Sequence, residues 1–311
     1  MLKVHHINVG HGDTTFIELP DGQTMLIDCN YKDSGKEDVL EYLDEKITKT
    51  TNGKKALDYL VITHPDEDHL CGIKDLSNKF EIENIWESGY RFDDDIERSH
   101  YEDFRSLVEE KGSQILKRGE PYEIGQVNFH CLNSSENGDD SNHDVHYNCL
   151  VLNMSYGESS VLFAGDSDYK SWQERVMKFK SLVGADYLHA SHHGSRSFFM
   201  EKKGDDPYLE GLKSVDPSVV IVSCLSKEES EDQGSEDQDW PPHDDALELY
   251  EENSDEVLLT SDGNIIYEIS DEGGFTRSLS ENVQIRRGRK KKGNRIYYPL
   301  ATTDPPRPWS E

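Results

Sequence analysis

The chain has 311 residues, and its 33 basic and 63 acidic side chains give a formal net charge of −30. This excess of negative charge disfavours long-range attraction to nucleic acid and to anionic membranes. Apolar residues make up 34% of the chain, enough for a core, but no run approaches the roughly 18 that a membrane span needs. The five scattered cysteines form no Cys-x-x-Cys pair, and the first residues lack an apolar signal region. We therefore expect a cytoplasmic protein without disulfides.

Apolar runs with the two-residue period of strands are interspersed with longer amphipathic stretches. Predicted strands cover residues 2–9, 14–19, 24–28, 57–63, 82–86, 127–132, 149–156, 161–164, 186–189, 218–223, 256–260 and 264–269. Predicted helices cover residues 36–49, 98–111, 169–182 and 244–252. Strands in blocks with helices outside predict a layered α/β sandwich, with two similar halves that meet near residue 140.

Composition divides the chain into a body and a tail. Residues 1–272 are expected to form one domain, with a solvated acidic insertion at about 226–240. Residues 273–311 are first basic and then Pro-rich. Within this tail, segment 286–295 holds seven of the 33 basic residues. It is interpreted as a strip that contacts phosphates of single-stranded DNA, as a docking segment for a protein partner, or as a solvated loop.

Four potential metal ligands lie within six residues, directly after a predicted strand. They are His64, Asp66, Asp68 and His69. Acidic side chains bunched beside a core repel one another and lose hydration unless a cation neutralises them. The spacing on an irregular loop lets the first two face one ion and the last two face another. Imidazole and carboxylate donors suit zinc, manganese or iron, so the sequence predicts a pair of divalent ions.

This strand-and-loop pattern resembles the His-x-His-x-Asp-His metal motif of the metallo-β-lactamase superfamily. Asp66 replaces the second His, as it does in the ComEC-type hydrolase branch, whose membrane-protein members act in DNA uptake. Other segments that resemble this branch are residues 9–14, 26–29, 148–152, 162–166, 189–195, 215–223 and 261–263. The resemblance covers residues 1 to about 270. It implies an αββα four-layer sandwich with a short C-terminal extension, and a soluble metal-dependent hydrolase.

The resemblance also implies further ligands and supporting residues. Asp166 would bridge the two ions. His192 and His193 would complete one ion each, or one of them would contact substrate. Asp13 and Asp28 would lie behind the ligands and orient imidazole N–H groups.

One ligand position departs from the family pattern. Asn148 stands where the family usually has a His before the bridging Asp, and we expect it to support the site. His143 and His146 are close enough in sequence to take its place as ligands. His243 is expected to donate a proton or to contact substrate, and Asp68 and Asp166 are also expected to take part in catalysis.

A site with two metal ions predicts hydrolysis of a phosphodiester. Two divalent ions would hold a bridging hydroxide and neutralise charge on a phosphodiester. Asp66 adds oxygen ligation, which favours Mn²⁺, although Zn²⁺ also fits. Cys71, which follows the cluster, is interpreted as a small buried residue.

The first functional hypothesis is a soluble phosphodiesterase or nuclease that acts on single-stranded or flexible DNA. The second is a hydrolase of a small phosphoester, cyclic nucleotide, phosphorylcholine ester or lactone at the same site. A third is a component of a multi-protein defence system or a metal-stabilised scaffold, partnered through its tail. The net charge disfavours long DNA as a substrate, whereas the nearly complete ligand set disfavours a scaffold.

Overall fold

The computed structural model describes residues 1–31, 38–93, 96–135, 144–226, 228–229, 240–272, 274–280 and 283–287. His143 and most of the acidic insertion lie outside the described residues, as does the basic segment beyond Arg287. The predictions made for those parts therefore stay predictions.

The described residues form seventeen strands and seven α-helices. The strands are β1 (Leu2–His6), β2 (Thr15–Glu18), β3 (Thr24–Ile27), β4 (Thr50–Thr51), β5 (Lys54–Ile62), β6 (Glu81–Glu87), β7 (Gln114–Ile115), β8 (Pro121–Ile124), β9 (Val127–Asn133), β10 (Val151–Tyr156), β11 (Ser159–Phe163), β12 (Tyr187–His189), β13 (Val219–Val222), β14 (Glu256–Leu259), β15 (Ile265–Ile269), β16 (Phe275–Leu279) and β17 (Arg286–Arg287). The helices are α1 (Val39–Lys46), α2 (Glu67–Leu70), α3 (Ile73–Lys79), α4 (Ser99–Lys111), α5 (Tyr169–Glu174), α6 (Glu210–Val215) and α7 (Asp244–Asn253).

The strands form two sheets. The first has the order β16-β15-β1-β2-β3-β5-β6-β7, with β4 paired to β5. The second has the order β17-β14-β13-β12-β11-β10-β9-β8. Each half of the chain supplies most of one sheet, and β15 and β16 return from the end of the domain to join the first.

Three buried apolar clusters separate four layers. One cluster lies between the sheets, the second lies under α1, α3 and α4 on the first sheet, and the third lies under α5, α6 and α7 on the second sheet. The two-residue period of strands explains this partition: in β11, Val161 and Phe163 face the other sheet, whereas Leu162 faces the helices. The expected αββα sandwich is confirmed.

The strand directions bring several loops to one edge of the sandwich. β3, β5 and β6 are parallel to one another, and so are β11 through β14. The carboxyl ends of parallel strands meet at the same edge, where ligand sites form in open α/β sheets. The predicted ligands that follow β5, β11 and β12 are therefore gathered there.

Two features differ from the sequence prediction. The predicted helix over residues 169–182 is an α-helix only to Glu174, because Arg175 leaves helical geometry (φ −125°, ψ −62°) and Val176–Leu182 continues as a 3-10 helix. The strand β16 pairs along the whole of β15, so the first sheet extends past residue 272.

The short strand β17 pairs with the beginning of β14. Because it is antiparallel to β14, it runs away from the edge that carries the predicted ligands. Within the described ranges, no helix combines the length and apolar character needed to cross a membrane.

Candidate metal centre

One group of potential ligands contains Asp68, His69, Asp166 and His193, whose donor atoms all lie within 4.8 Å of one another. The Nε2 atom of His69 is 3.4 Å from Oδ1 of Asp166. The Nε2 atom of His193 is 3.1 Å from Oδ2 of Asp68 and 3.5 Å from Oδ2 of Asp166. Residues from both sheets therefore converge on one point.

A second group contains His64, His146 and again Asp166. Asp66 borders it, with Oδ2 3.2 Å from Nε2 of His146 and 3.4 Å from Nε2 of His64. His192 is also close, since its Nε2 atom lies 3.6 Å from Oδ2 of Asp166. The two groups thus share the Asp166 carboxylate.

Four of the imidazoles are held through Nδ1, so that Nε2 faces the centre; they are those of His64, His69, His192 and His193. Nδ1 of His69 donates to Asp28 at 2.7 Å, and Nδ1 of His193 donates to the Ser223 carbonyl at 3.1 Å. Nδ1 of His192 lies 3.0 Å from the Ser197 hydroxyl. Such contacts fix the tautomer that leaves the Nε2 lone pair for a metal.

Asp28 organises two of these rings at once. Its carboxylate accepts hydrogen bonds from the Thr63 amide at 2.8 Å, the Thr63 hydroxyl at 2.6 Å and His69. The Thr63 hydroxyl, having given its proton to Asp28, accepts from Nδ1 of His64 at 3.1 Å. Asp13 lies on the other side, with Oδ1 3.6 Å from Nδ1 of His193.

The centre contains buried polar atoms that the described chain does not satisfy. Nε2 of His64, Nε2 of His69 and Oδ1 of Asp166 have no hydrogen-bond partner among the described residues. A buried polar atom left without a partner costs about 1–3 kcal/mol. All three atoms are good donors to a divalent ion, and they occur in the two groups that share Asp166. The residues present therefore fit two divalent ions.

The electrostatics of the centre also favour cations. Burial opposes charge on the Asp68 and Asp166 carboxyls, but the surrounding imidazoles outweigh it and hold both pKa values well below the ordinary value. Burial likewise opposes charge on His69 and His193, yet the neighbouring carboxylates raise the pKa of each imidazole well above its ordinary value. Protons thus balance the buried negative charge, and metal ions compete for the same positions.

The rings of His146 and His192 lie 4.4 Å apart but titrate differently. Burial disfavours charge on His146, but the hydrogen bond with Asp66 and the Asp166 charge raise its pKa to about 9. Burial dominates at His192 and lowers its pKa to about 4. A positive ring at His146 disfavours a second positive ring beside it.

Backbone strain is concentrated at the centre. Five non-glycine residues with positive φ occur in the described chain, and three of them are Asp28 (56°), His192 (50°) and His193 (55°). Each such residue costs of order 1–3 kcal/mol and persists only where its surroundings hold it. The strained backbone at His192 and His193 occurs where both rings point towards the centre.

His11 is a site residue that the sequence analysis missed. Its Nε2 atom lies 3.1 Å from Oδ2 of Asp68, and its ring centroid is 4.7 Å from that of His193. The turn packs so closely that a Cβ on Gly12 would lie 2.2 Å from the Asp68 carbonyl oxygen. The sequence alone does not show that this turn brings an imidazole to Asp68, because the approach depends on contacts between residues distant in sequence.

Asn148 lies beside the site but points elsewhere. Its amide donates to the Asp144 carbonyl at 3.1 Å and accepts from the Arg175 guanidinium at 2.9 Å. The described chain places His146 at the centre, whereas His143 is outside the described residues. His243 is buried, and its Nδ1 atom accepts from the Arg196 amide at 3.1 Å.

The profile of the Metallo-beta-lactamase superfamily matches residues 7–124, which include the loop from His64 to His69. Over these residues the chain is similar to the metallo-β-lactamase superfamily. Asp166, His192 and His193 lie beyond the matched residues. This match and the His and Asp clusters together support a metal-dependent hydrolase.

A curated relative matches this chain over more of its length. ComE operon protein 3 of Bacillus subtilis is 27% identical over 277 residues, which are 85% of this chain and 32% of that relative. The chain therefore spans about a third of the relative's length.

Several solved structures are similar to this one. The metallo-beta-lactamase fold protein YhfI from Bacillus subtilis has a TM-score of 0.48 and 16% identity, covering 89% of this chain and 99% of its own. Igni18, a metallo hydrolase from Ignicoccus hospitalis, has a TM-score of 0.43 and 16% identity, covering 72% of this chain and 83% of its own. The diiron β-hydroxylase CmlA from Streptomyces venezuelae has a TM-score of 0.44 and 15% identity, covering 72% of this chain and 45% of its own.

Proposed function

We propose that the protein is a dinuclear metal-dependent phosphodiesterase that cleaves single-stranded or flexible DNA. The observation that carries this proposal is the buried Asp166 carboxylate, which belongs to both groups of potential ligands. The likeness to ComE operon protein 3 and the resemblance to the ComEC-type branch support a nucleic-acid substrate.

His64, Asp66, His146 and Asp166 would hold one ion, with His192 beside them. Asp68, His69, His193 and Asp166 would hold the other. When bound, two such ions supply a nucleophile at neutral pH and charge stabilisation for the phosphoryl group. Mn²⁺ and Zn²⁺ both suit these donors.

The protein's own residues give this centre a buried floor and a partly exposed opening. His64, His69, His193 and Asp166 are buried and fix the positions of the donors. At the opening, which we call the mouth, the side chains are partly exposed: Asp66 by 30%, Asp68 by 25%, and His11, His146 and His192 by 20–23%. A phosphodiester would therefore enter past polar and imidazole side chains, while the floor excludes bulk water.

His243 would contact the substrate through its Nε2 atom. Because its Nδ1 atom accepts a hydrogen bond from the Arg196 amide, a neutral ring has its proton on Nε2. That tautomer offers a hydrogen bond from Nε2, which fits the substrate-contacting role expected from the sequence.

A small phosphoester is a second candidate substrate, and the charge of the chain favours it. A net charge of −30 repels a long polyanion, whereas a substrate with one phosphate experiences much less repulsion. In addition, β17 runs away from the edge with the site, so the basic segment does not start beside the mouth.

The test is hydrolysis of bis-p-nitrophenyl phosphate and of labelled single-stranded DNA by metal-free protein, with and without added Mn²⁺ or Zn²⁺. We expect both substrates to be cleaved with metal, and Asp68→Ala and Asp166→Ala to be inactive. Glu67→Gln is the matched control, because Glu67 lies in the same loop but its side chain is 76% exposed and pairs with His100. Cleavage of the small ester alone would favour the second candidate, and no cleavage of either would refute the proposal.

A further inference from the structure

An aromatic side chain outside the groups of potential ligands packs against His11 at the mouth of the centre. Trp240 is partly buried, and its ring centroid lies 5.0 Å from that of His11, with the two planes at 85°. His11 in turn contacts Asp68 and the ring of His193. Two side chains, His11 and His193, therefore connect Trp240 to Asp166, the carboxylate that both groups share.

We propose that Trp240, backed by His11, is a stacking site for the nucleobase next to the scissile phosphate. This inference rests on the phosphodiesterase function proposed above and narrows its substrate class to nucleotides. A base that stacks on an aromatic side chain gains about 1–3 kcal/mol without any dependence on sequence. The indole Nε1 atom is buried and has no hydrogen-bond partner within the described chain, so the partly exposed ring, and not its N–H group, is what the base would contact.

The arginines beside the site support stacking as the means of recognition. Arg196 pairs with Asp245 at 3.1 Å, and Arg91 pairs with Glu87 at 2.6 Å. Arg175 is buried and stacks on a tyrosine ring at 4.0 Å. Each of these cations is already bound by the chain's own groups. Substrate affinity beyond the scissile phosphate is thus expected to come from the base, with weak dependence on salt concentration.

Two chromogenic substrates isolate the contribution of the base. Thymidine 5′-(p-nitrophenyl phosphate) and its analogue with an abasic deoxyribose have the same phosphodiester and leaving group. With Mn²⁺ present, we expect Trp240→Ala to lower kcat/KM for the thymidine substrate by about 5- to 100-fold, mainly through KM. The same variant should leave kcat/KM for the abasic substrate unchanged. Trp240→Phe, which keeps an aromatic ring, should restore most of the loss.

A measurement of nucleotide binding tests the stacking site without substrate turnover. Thymidine 5′-monophosphate should quench tryptophan fluorescence of the wild-type protein, and this quenching should disappear in Trp240→Phe. If neither substrate is cleaved but quenching depends on Trp240, the stacking site stands and the phosphodiesterase proposal fails. If Trp240→Ala lowers cleavage of both substrates equally or of neither, or if no quenching depends on Trp240, the stacking site is refuted.

Discussion

Replacing Asp28 by Asn tests whether the buried hydrogen-bond network prepares the imidazoles for metal. Asparagine has nearly the same shape and tolerates the positive φ at this position. Its oxygen can still accept from the Thr63 amide, but its NH₂ group would face the Thr63 hydroxyl and Nδ1 of His69. His69 would then have to accept at Nδ1 and carry its proton on Nε2, the atom that faces the centre.

The magnitude follows from the number of bonds that change. Loss of a partner that orients a ligand imidazole lowers metal affinity about 10- to 100-fold, or roughly 1.4–2.7 kcal/mol. Two charge-assisted hydrogen bonds, each worth about 1.5–3 kcal/mol, are also lost from the metal-free fold. We therefore expect weaker metal binding together with a lower free energy of unfolding.

The assay separates these two effects with a matched variant. Asp58 is an equally buried carboxylate on β5, where it accepts from the Thr24 amide at 2.8 Å and from Lys49 at 2.5 Å. Asp58→Asn should lower stability in urea unfolding but leave metal affinity, measured by calorimetric titration of metal-free protein, unchanged. The reasoning is refuted if Asp28→Asn binds two equivalents of Mn²⁺ or Zn²⁺ with wild-type affinity.

Three further substitutions test separate parts of the centre. His146→Ala should weaken the binding of one of the two ions and leave the binding of the other unchanged, because His146 belongs to only one group of potential ligands. Loss of both ions in equilibrium dialysis would contradict two separate groups. The metal-free His192→Gly protein should be more stable than His192→Ala by about 1 kcal/mol, because glycine tolerates the φ of 50° at this position. Equal thermal melting temperatures of the two variants would argue against backbone strain at residue 192. Gly12→Ala should destabilise the fold by more than Gly22→Ala. Both glycines have positive φ, but only at Gly12 would the new Cβ meet other atoms. Similar losses of melting temperature in the two variants would mean that the turn is not packed on Asp68.

The layered fold was predictable because its cause is local. The two-residue alternation of β11 and the apolar run of β5 are visible in the sequence, and each places side chains on both faces of a sheet. The break at Arg175 was not predictable, because it accompanies a guanidinium buried against Tyr147 and Asn148, which lie 27 or more residues away. No local pattern shows such a contact.

The candidate site was likewise predictable in part, where its residues are close together in sequence. The loop with His64 and His69 was conspicuous, because ligands close together in sequence are close in space. His146 and His11 reach the centre only through the path of the chain, so the sequence left the first as an alternative and missed the second. Whether any of these residues binds metal stays a prediction.

The centre spans the gap between the two sheets. The loop after β5 belongs to the first sheet and Asp166 follows a strand of the second, while Tyr187 and Tyr267 meet across the interior with ring centroids 4.3 Å apart. Ions held from both sides would tie the spacing of the sheets to the geometry of coordination. A substitution in this interior, distant from every ligand, would then alter metal selectivity, because ions of different radius require different separations. The packing between the two sheets would in that way contribute to the metal selectivity of the centre.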